Sequence, residues 1–567
     1  WTLAAVLLVV SCIQALAQVA ETIQYSAASC RNNVSLSGST WPSDHGDSSR
    51  TKFTVNAGLP KGKLDADQLK VIEQNDLPGA QWIYTYGNDN EYTFVMGGTI
   101  VSTYVAKLES KTLKILQKVY LKPALYIGGL LMHGNGHVYG VQGNTLNVFW
   151  NGDLQNRTVM DLPLTGNLNG NSVQTNGMVV SSDGYLVIKQ WSFILEDLAL
   201  YLTVMPAVVY AIAVIMFLVG LLTVYFIPRK LKNPFTMTGG LFLGSGFTLA
   251  FFVGVFLVIQ WKLFGYSDPI KFITTNLFVK NYGGGGQLKF IDPISLEVVA
   301  DLSLVERCSF GRMSLAHLDN VDNEDAIVLI GDEFIRQYRW NPQRKHLYEV
   351  ESWAERYRSR HAGTFPGTGP ATYNGVTYFT DNTFPVMLFQ PTYNLFSKQL
   401  EPTATTAEVP PMQRVEINQP GMSGYMFWSV VVSPVEGDVI VWDSAGRSVQ
   451  ARRATDLSLR WNITAVQGDC ITVAADKGHV YLTDYSTGPE DWSTWMAAIG
   501  PNGKKLFPGV EKYFIVADAS TGEVLLNTTI LAGEGMRPAL IVPGGHNDVL
   551  VAKPTGLNRM YMDTVVV

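Results

Sequence analysis

The sequence predicts an all-β propeller of seven or eight four-stranded blades, interrupted by a two-helix transmembrane hairpin. The 567 residues include 52 glycines and 11% aromatic residues, with repeated Asn-Gly pairs, which is typical of many short strands joined by tight turns. A pattern of strand, polar turn and strand recurs at intervals of roughly 35–50 residues, the length of a propeller blade. Two runs, Leu198–Ile227 and Pro234–Trp261, contain no charged residue. Each exceeds the roughly 20 apolar residues that cross a bilayer.

The first residues have the pattern of a secretory signal. Trp1–Ala17 is apolar and ends in Ala15-Leu16-Ala17, so we predict a signal peptide over residues 1–17. A lipoprotein signal around Cys12 and a retained third membrane span are the alternatives. Residues 18–79 are predicted to be an extended lead that contains one short helix within Lys63–Asp76.

The repeat places propeller blades at residues 80–190 and again at 283–567. Four segments show it most clearly: Val105–Ile115, Phe290–Val299, Ile440–Val449 and Ile515–Leu525. Looser copies begin near Val148, Ile335, Leu388 and Leu482. One four-stranded sheet cannot bury both of its faces, whereas blades stacked around an axis can.

The third blade is predicted to be split by the insertion, residues 191–282. Its strands are expected at Gly177–Val180, Tyr185–Ile188, Gln287–Ile291 and Leu296–Val299. The glycine run at Gly283–Gly286 suits a flexible return into the sheet and lacks the Lys-Ser/Thr of a phosphate-binding loop.

Charge predicts how the hairpin, with spans at about 198–227 and 235–261, is oriented. Its short loop contains Arg229, Lys230 and Lys232, and short loops rich in Lys and Arg stay cytoplasmic. The propeller and both termini are therefore expected on the extracellular or lumenal side of the bilayer.

A GxxxG pair in the second span, Gly240 and Gly244, is expected to allow close helix packing. It would contact either the first helix of the hairpin or another subunit. Neither span contains an ionisable residue, which argues against transport.

One copy of the repeat, Val516–Leu526, resembles the A-x-D-x-x-T-G-x-x-x-W repeat of quinoprotein-like (PQQ-repeat) propellers. Leu526 stands where that family has a Trp that packs between blades. Quinoprotein dehydrogenases usually carry an adjacent cysteine pair over their cofactor, and this sequence has no Cys-Cys. The resemblance therefore implies the fold without the redox chemistry, and no cofactor is predicted from it.

A calcium site is the candidate metal centre. Asp319, Asp322 and Asp325 resemble a shortened FG-GAP loop, and carboxylates at alternating positions offer the oxygen ligands that calcium takes. The loop lacks the central glycine of that pattern. Similar acidic turns precede strands at Asp438 and Asp548, so a structural turn is the alternative.

Enzyme signatures such as G-x-S-x-G, H-E-x-x-H and C-x-x-C do not occur. His133 and His137 are four residues apart in a glycine-rich turn, where they either bind a metal or support the turn. The segment Trp353–His361 gathers Arg356, Arg358 and Arg360 into a basic, aromatic patch that binds an acidic partner or simply connects two blades.

The remaining signals concern export and partners. Without the signal peptide three cysteines remain, Cys30, Cys308 and Cys470, so at most one disulfide forms within the chain. Glycosylation sequons begin at Asn33, Asn156, Asn462 and Asn527. A net charge of −6 argues against nucleic acid as a partner.

We therefore expect a membrane-anchored propeller that acts as a non-catalytic scaffold or accessory subunit of a membrane complex, with the bilayer and other membrane or extracellular subunits as partners. One alternative is a quinoprotein-like or hydrolytic enzyme with its site in the propeller channel. The other is a receptor for glycans or peptides.

Overall fold

The fold is an eight-bladed β-propeller. The structure, a computed structural model, describes residues 41, 46–54, 58–62, 64–77, 80–86, 91–99, 102–122, 127–164, 173–192, 212–219, 244, 246–247, 251, 286–304, 312–318, 323–331, 333–358, 365–366, 369–381, 383–384, 393–401, 411–417, 430–443, 448–464, 471–486, 511–529, 541–553 and 556–563. Within these ranges, eight sheets contain four antiparallel strands in the order expected of propeller blades.

Two strands, β1 and β2, precede the first complete blade: Phe53–Thr54 and Leu69–Gln74. Blade 1 consists of β3 (Ala80–Tyr86), β4 (Tyr92–Thr99), β5 (Ser102–Glu109) and β6 (Ile115–Leu121). Blade 2 consists of β7 (Ile127–Met132), β8 (Val138–Gln142), β9 (Thr145–Phe149) and β10 (Arg157–Asp161). Blade 3 consists of β11 (Val173–Val180), β12 (Leu186–Ser192), β13 (Gly286–Ile291) and β14 (Val298–Leu304).

Blade 4 consists of β15 (Ser314–His317), β16 (Asp325–Ile330), β17 (Phe334–Asn341) and β18 (His346–Glu349), with β19 (Glu355–Arg356) added beside β17. The two-residue strands β20 (Phe365–Pro366) and β23 (Thr383–Phe384) pair with each other. Blade 5 consists of β21 (Ala371–Tyr373), β22 (Val376–Thr380), β24 (Tyr393–Gln399) and β25 (Gln413–Ile417).

Blade 6 consists of β26 (Val431–Ser433), β27 (Asp438–Asp443), β28 (Ser448–Arg453) and β29 (Leu459–Ile463). Blade 7 consists of β30 (Ile471–Asp476), β31 (His479–Ser486), β32 (Glu511–Asp518) and β33 (Val524–Thr528). Blade 8 consists of β34 (Ile541–Pro543), β35 (Asp548–Lys553), β36 (Gly556–Met562) and β2. Single 3-10 turns lie at Ala66–Gln68, Trp150–Gly152 and Glu351–Trp353.

From blade 1 to blade 8, the first strands of successive blades contact one another, and β3 contacts β35 of blade 8, so the first strands form the inner edge of the ring. The ring is closed by β2, which pairs antiparallel with β36 from Leu69↔Met562 to Gln74↔Leu557. The helix predicted within Lys63–Asp76 is instead a 3-10 turn followed by this strand. The strand gains the backbone hydrogen bonds of a sheet and buries Leu69, which a short isolated helix would not.

The blades pack through apolar side chains that alternate along their strands. Between blades 3 and 4, Phe290 stacks on Trp340 with ring centroids 4.2 Å apart. Between blades 6 and 7, the Trp461 Nε1–H donates to the Ala519 carbonyl at 3.1 Å. A Cβ on Gly522 would lie only 2.8 Å from the Trp461 ring, so this glycine permits the close contact. The Thr-Gly turn of blade 7 therefore packs against a Trp of blade 6.

The recurrent turn is the one between the third and fourth strands of a blade. Its fifth residue has a left-handed φ in five blades, namely Leu113, Leu296, Lys345, Leu457 and Gly522. Three of the four clearest sequence copies coincide with this turn. The fourth, Ile440–Val449, instead spans β27 and β28 and is one turn out of phase. Alternating apolar residues look the same on every strand, which explains why this predicted copy is displaced by one turn.

The four strands predicted for blade 3 are observed as β11 to β14. Strands β12 and β13 are neighbours in the sheet, from Leu186↔Ile291 to Trp191↔Gly286, although residues 193–285 separate them in sequence. A Cβ on Gly286 would lie 2.5 Å from the Gln190 carbonyl oxygen, so a glycine is needed where the chain rejoins the sheet.

The predicted membrane anchoring is contradicted. Within the insertion, the described helical residues are 212–219, 244, 246–247 and 251. Among the residues that the structure describes, no helix combines the length and apolar character that crossing a bilayer requires. The prediction of a two-span membrane anchor is corrected on this finding. The predicted spans at 198–227 and 235–261 lie largely outside the described residues, as do Arg229, Lys230 and Lys232, from which their orientation was inferred.

Candidate functional site

The inner edge of the propeller, where this fold leaves a central channel, is covered by the chain itself. We call residues 46–54 the channel strap. Its carbonyls accept one inner-strand amide from each of four successive blades: Leu315 to Ser48 (2.8 Å), Thr372 to Ser49 (2.9 Å), Val432 to Thr51 (2.9 Å) and Ala475 to Lys52 (3.0 Å). The strap also reaches a fifth blade, because the Ser48 hydroxyl bonds to both the amide and the carbonyl of Val180. It ends as β1, which pairs in parallel with β30.

The strap is polar and buried. Asp47 accepts hydrogen bonds from the amide (3.2 Å) and the hydroxyl (2.8 Å) of Thr51, and burial raises the pKa of its carboxyl. Arg50 and Lys52 are 2% and 4% exposed and both have left-handed φ, which turns the strap along the ring. Burial, with a smaller contribution from the charge of Arg50, lowers the pKa of Lys52 to about 7.

The strap leaves the channel over blade 7, where it meets a hydrogen-bonded group that we call the Asp476 cluster (Asp476, His479 and Tyr481). Asp476 accepts the Gly58 amide at 2.7 Å and the Tyr481 hydroxyl at 2.5 Å. The Tyr481 oxygen in turn accepts the Leu59 amide at 2.9 Å. Burial raises the pKa of Asp476, but its hydrogen bonds from His479, Tyr481 and Gly478 outweigh burial and leave the pKa below its usual value. A charged Asp476 therefore fixes the strap where it exits.

A cleft of about 510 Å³ lies beside this exit. Its walls carry both signs of charge, from Lys61 and Lys477 on one hand and from Glu436, Asp518 and Glu523 on the other. In the described part of the chain, no three histidine, cysteine or acidic side chains converge as a metal site.

The two histidines of blade 2 support a turn. Asn135 donates its amide to His133 Nδ1 (3.2 Å), so His133 Nε2 carries the proton and donates to the Gly184 carbonyl of blade 3 (2.9 Å). His137 Nδ1 accepts the Asn151 amide at 2.9 Å. Burial lowers the pKa of His133 to about 4, which keeps its ring neutral. These contacts favour the turn-supporting interpretation over metal binding.

Of the three predicted calcium ligands, Asp325 is described, whereas Asp319 and Asp322 lie outside the described residues. Asp325 is fully buried, accepts the Ser182 amide at 2.7 Å and contacts His317 Nδ1 at 3.0 Å. One oxygen thus joins blade 4 to the neighbouring turn of blade 3, and the other contacts His317 within blade 4. Calcium binding by the loop stays a prediction.

The predicted basic patch is only partly assembled. Trp353 is buried and donates to the Gln399 carbonyl (2.7 Å), and Arg356 forms an ion pair with Glu333 (2.7 Å). Arg358 lies beside Tyr357, whereas Arg360 and His361 lie outside the described residues. The described part therefore connects β17 with β24, as the structural alternative predicted.

Three sequon asparagines lie on the rim. Asn156 immediately precedes β10, and Asn462 and Asn527 lie on β29 and β33, the outer strands of their blades. All three are exposed. Asn33 and the cysteines Cys30, Cys308 and Cys470 lie outside the described residues. Glycosylation stays a prediction.

The predicted packing glycines are also only partly described, because Gly240 lies outside the described residues. A Cβ on Gly244 would meet nothing within 4 Å. A Cβ on Gly246, in contrast, would lie 2.7 Å from the Phe217 backbone nitrogen and 2.8 Å from the Ala213 carbonyl oxygen. Gly246 is therefore the glycine at which the two described helical segments approach.

Sequence reasoning missed the strap and the Asp476 cluster. The strap lies in a Ser-, Asp- and Gly-rich stretch without periodicity, which was read as an extended lead. The signal that could have found it is Asp47-Ser48-Ser49, a run of short side chains that hydrogen-bond to nearby backbone.

No family model matches the chain, and neither does any curated protein. Several solved structures are similar at low identity. The Dos1 propeller is 9% identical, with 87% of this chain and 95% of that chain covered and a TM-score of 0.44. Dihydro-heme d1 dehydrogenase NirN is 8% identical, with 86% and 78% covered and a TM-score of 0.41. A europium-containing methanol dehydrogenase is 10% identical, with 91% and 89% covered and a TM-score of 0.37. These proteins differ in their named activities, and the likenesses carry no argument about the function of this chain.

Proposed function

We propose that this propeller is a non-catalytic scaffold or accessory subunit that binds protein partners on its outer surfaces. The observation that carries the proposal is the channel strap. A propeller enzyme needs its central channel for substrate and cofactor, and here residues 46–54 lie along the inner strands of five blades.

The fixed position of the strap supports the same proposal. Its four backbone hydrogen bonds and the Asp476 cluster hold it along the ring. Removing it would take hydrogen-bond partners from the inner strands of blades 4 to 7. Opening the channel would therefore disturb four blades at once.

The test is native mass spectrometry of the full-length chain, tagged and gently purified from its natural host. A stoichiometric assembly with other protein subunits is the expected result. A lone chain that carries the mass of a quinone or a metal would overturn the proposal in favour of an enzyme. A lone chain without any added mass would also count against a scaffold.

Adding quinone cofactor with calcium to the purified chain provides a second measurement. We expect no dye-reducing activity with alcohols, because the strap occupies the channel. Turnover that a strap substitution such as Lys52→Ala abolishes would contradict the proposal.

A further inference from the structure

The outer edge of blade 1 presents backbone groups that strand pairing within the blade does not use. Strand β6 is the last strand of its sheet, and in the described part of the chain no strand pairs with its outer side. The Tyr120 carbonyl accepts a hydrogen bond from Arg157 of blade 2 at 3.1 Å, so it faces away from β5. Because backbone groups alternate along an antiparallel strand, those of Lys118 also face outward, whereas a β-bulge between Gln117 and Ile115 interrupts the alternation at Leu116.

The side chains of the same residues are exposed. Leu116 is 45% and Tyr120 62% exposed, so this strand presents two large apolar side chains, whereas β10 and β29 each present one, Val159 and Leu459. Between them, the Lys118 ammonium lies 4.4 Å from the centroid of the Tyr104 ring and 5.7 Å from that of Tyr120. Lysine on an edge strand discourages unspecific strand addition. An exposed leucine and tyrosine beside it do the opposite.

Charge indicates what would pair here. The chain has a net charge of −6, but residues 105–122 contain five lysines and one acid, Glu109. The lysines are Lys107, Lys111, Lys114, Lys118 and Lys122. Five of the seven other outer strands contain an acid, namely Glu73 on β2, Asp161 on β10, Asp301 on β14, Glu349 on β18 and Glu416 on β25, whereas β29 and β33 contain none.

A second copy of this chain is a poor occupant of the edge. Two β6 strands that paired with each other would bring Lys118 and its flanking lysines together, and like charges across a strand pair are destabilising. A strand that carries acidic residues is instead attracted by the same lysines.

We propose that the outer edge of β6 is a docking strand for an extended, acidic segment of a partner protein, which adds as a fifth strand to blade 1. Main-chain hydrogen bonds from Lys118 and Tyr120 supply affinity, as in other cases of strand addition. Acidic side chains of the partner face Lys118 and its neighbours, and apolar ones cover Leu116 and Tyr120. This inference rests on the proposed scaffold function and assigns it one surface.

The first test uses the full chain and a capped, fluorescent heptapeptide in which glutamate alternates with valine and tyrosine. Anisotropy should show saturable binding that weakens when salt is raised from about 0.05 M to about 0.5 M, because salt screens exposed charges. Hydrogen exchange should slow at residues 114–122 when the peptide binds. A peptide with N-methylated alternate residues cannot donate to the edge and should not bind. Equal binding of the methylated peptide, or no binding of either, would overturn the proposal.

Variants locate the site. Lys118→Glu should weaken the peptide about tenfold, since it removes an attraction and adds a repulsion. Lys345→Glu makes the same charge change in an exposed turn of blade 4 and should change binding less than twofold, about the effect of a distant surface charge. Should Lys118→Glu fold poorly, Tyr120→Thr removes the exposed ring and keeps a residue suited to strands. If neither variant weakens binding more than the Lys345 control does, the peptide lies elsewhere.

The two proposals can fail separately. A Lys118→Glu chain that still purifies with its full set of subunits would refute docking at β6 and leave the scaffold function standing. A wild-type chain that is always found alone would refute the scaffold function, whatever the peptide does.

Discussion

The inner and outer edges of this propeller are the same kind of structure, but the chain covers one and leaves the other exposed. Both are edge strands with backbone groups that a blade does not satisfy by itself. At the inner edge, residues 46–54 cover five blades and supply hydrogen-bond partners. At the outer edge of blade 1, β6 keeps exposed Leu116 and Tyr120. The difference indicates that the channel serves the stability of the ring and the rim serves contacts with partners.

The largest expected effect comes from a core residue just after the strap. Leu59 is fully buried and packs in the largest apolar cluster. Leu59→Ala should lower the free energy of unfolding by about 3 kcal/mol, as for other buried leucines. Urea denaturation followed by tryptophan fluorescence measures this. The matched control is Leu459→Ala on the outer strand β29, where the side chain is 52% exposed and the loss should stay within about 0.5 kcal/mol. Equal losses would mean that the segment after the strap does not contribute to the core.

The turn that joins blades 2 and 3 should make stability depend on pH. His133 titrates near 6.5 when unfolded, and burial lowers its pKa to about 4 in the folded chain, with His137 lowering it slightly and Asp292 raising it. The unfolded chain therefore binds more protons between these values, so stability is full above pH 6.5 and falls as pH drops toward 4. The gap corresponds to about 3 kcal/mol. His133→Gln can still donate to the Gly184 carbonyl and should flatten this part of the pH profile. An unchanged profile would show that His133 is protonated in the folded chain.

A smaller effect is expected at the strap exit. Asp476→Asn replaces one acceptor oxygen with an amide that faces donors from Gly58, Gly478 and Tyr481. The loss should be about 2 kcal/mol, the cost of leaving buried donors unpaired. Because hydrogen bonds hold the pKa of Asp476 below its usual value, this contribution is present above about pH 4 and disappears as pH falls through the folded pKa. Asp456→Asn, in an exposed turn of blade 6, is the control and should be nearly neutral. If the two variants lose equal stability, the Asp476 cluster does not fix the strap.

The repeat made the propeller predictable, because the blades repeat a strand period of two and, in five of them, a turn whose fifth residue takes left-handed φ. It also placed the third blade around its insertion, since the strands on both sides of residues 193–285 carry the same alternation. The strap was not predictable in this way. Its hydrogen bonds join Ser48 to Leu315 and Lys52 to Ala475, contacts between residues far apart in the chain that leave no local pattern.

The membrane prediction went wrong through a different cause. Hydropathy reports how apolar a segment is, and it does not by itself establish a helix long enough to cross a bilayer. The candidate metal residues also show a limit of local sequence. The spaced carboxylates that suggested a calcium ligand at Asp325 are equally compatible with a buried carboxylate that supports a turn. Its carboxylate accepts the Ser182 amide of the next blade, and nothing in the local sequence identifies that donor.

The smallest expected effect tests the outer edge directly. Leu116→Thr and Val159→Thr replace exposed apolar residues on β6 and β10, which are 45% and 50% exposed, with a residue that suits strands. Each should change the free energy of unfolding by no more than about 0.5 kcal/mol, because neither side chain is buried on folding. The two variants should nevertheless differ in peptide binding, since only Leu116 lies on the proposed docking strand. A loss of stability at Leu116 as large as at Leu59 would show that β6 is held within the fold like the inner edge. The contrast between the two edges would then disappear, and with it the reason to place partners at the rim of blade 1.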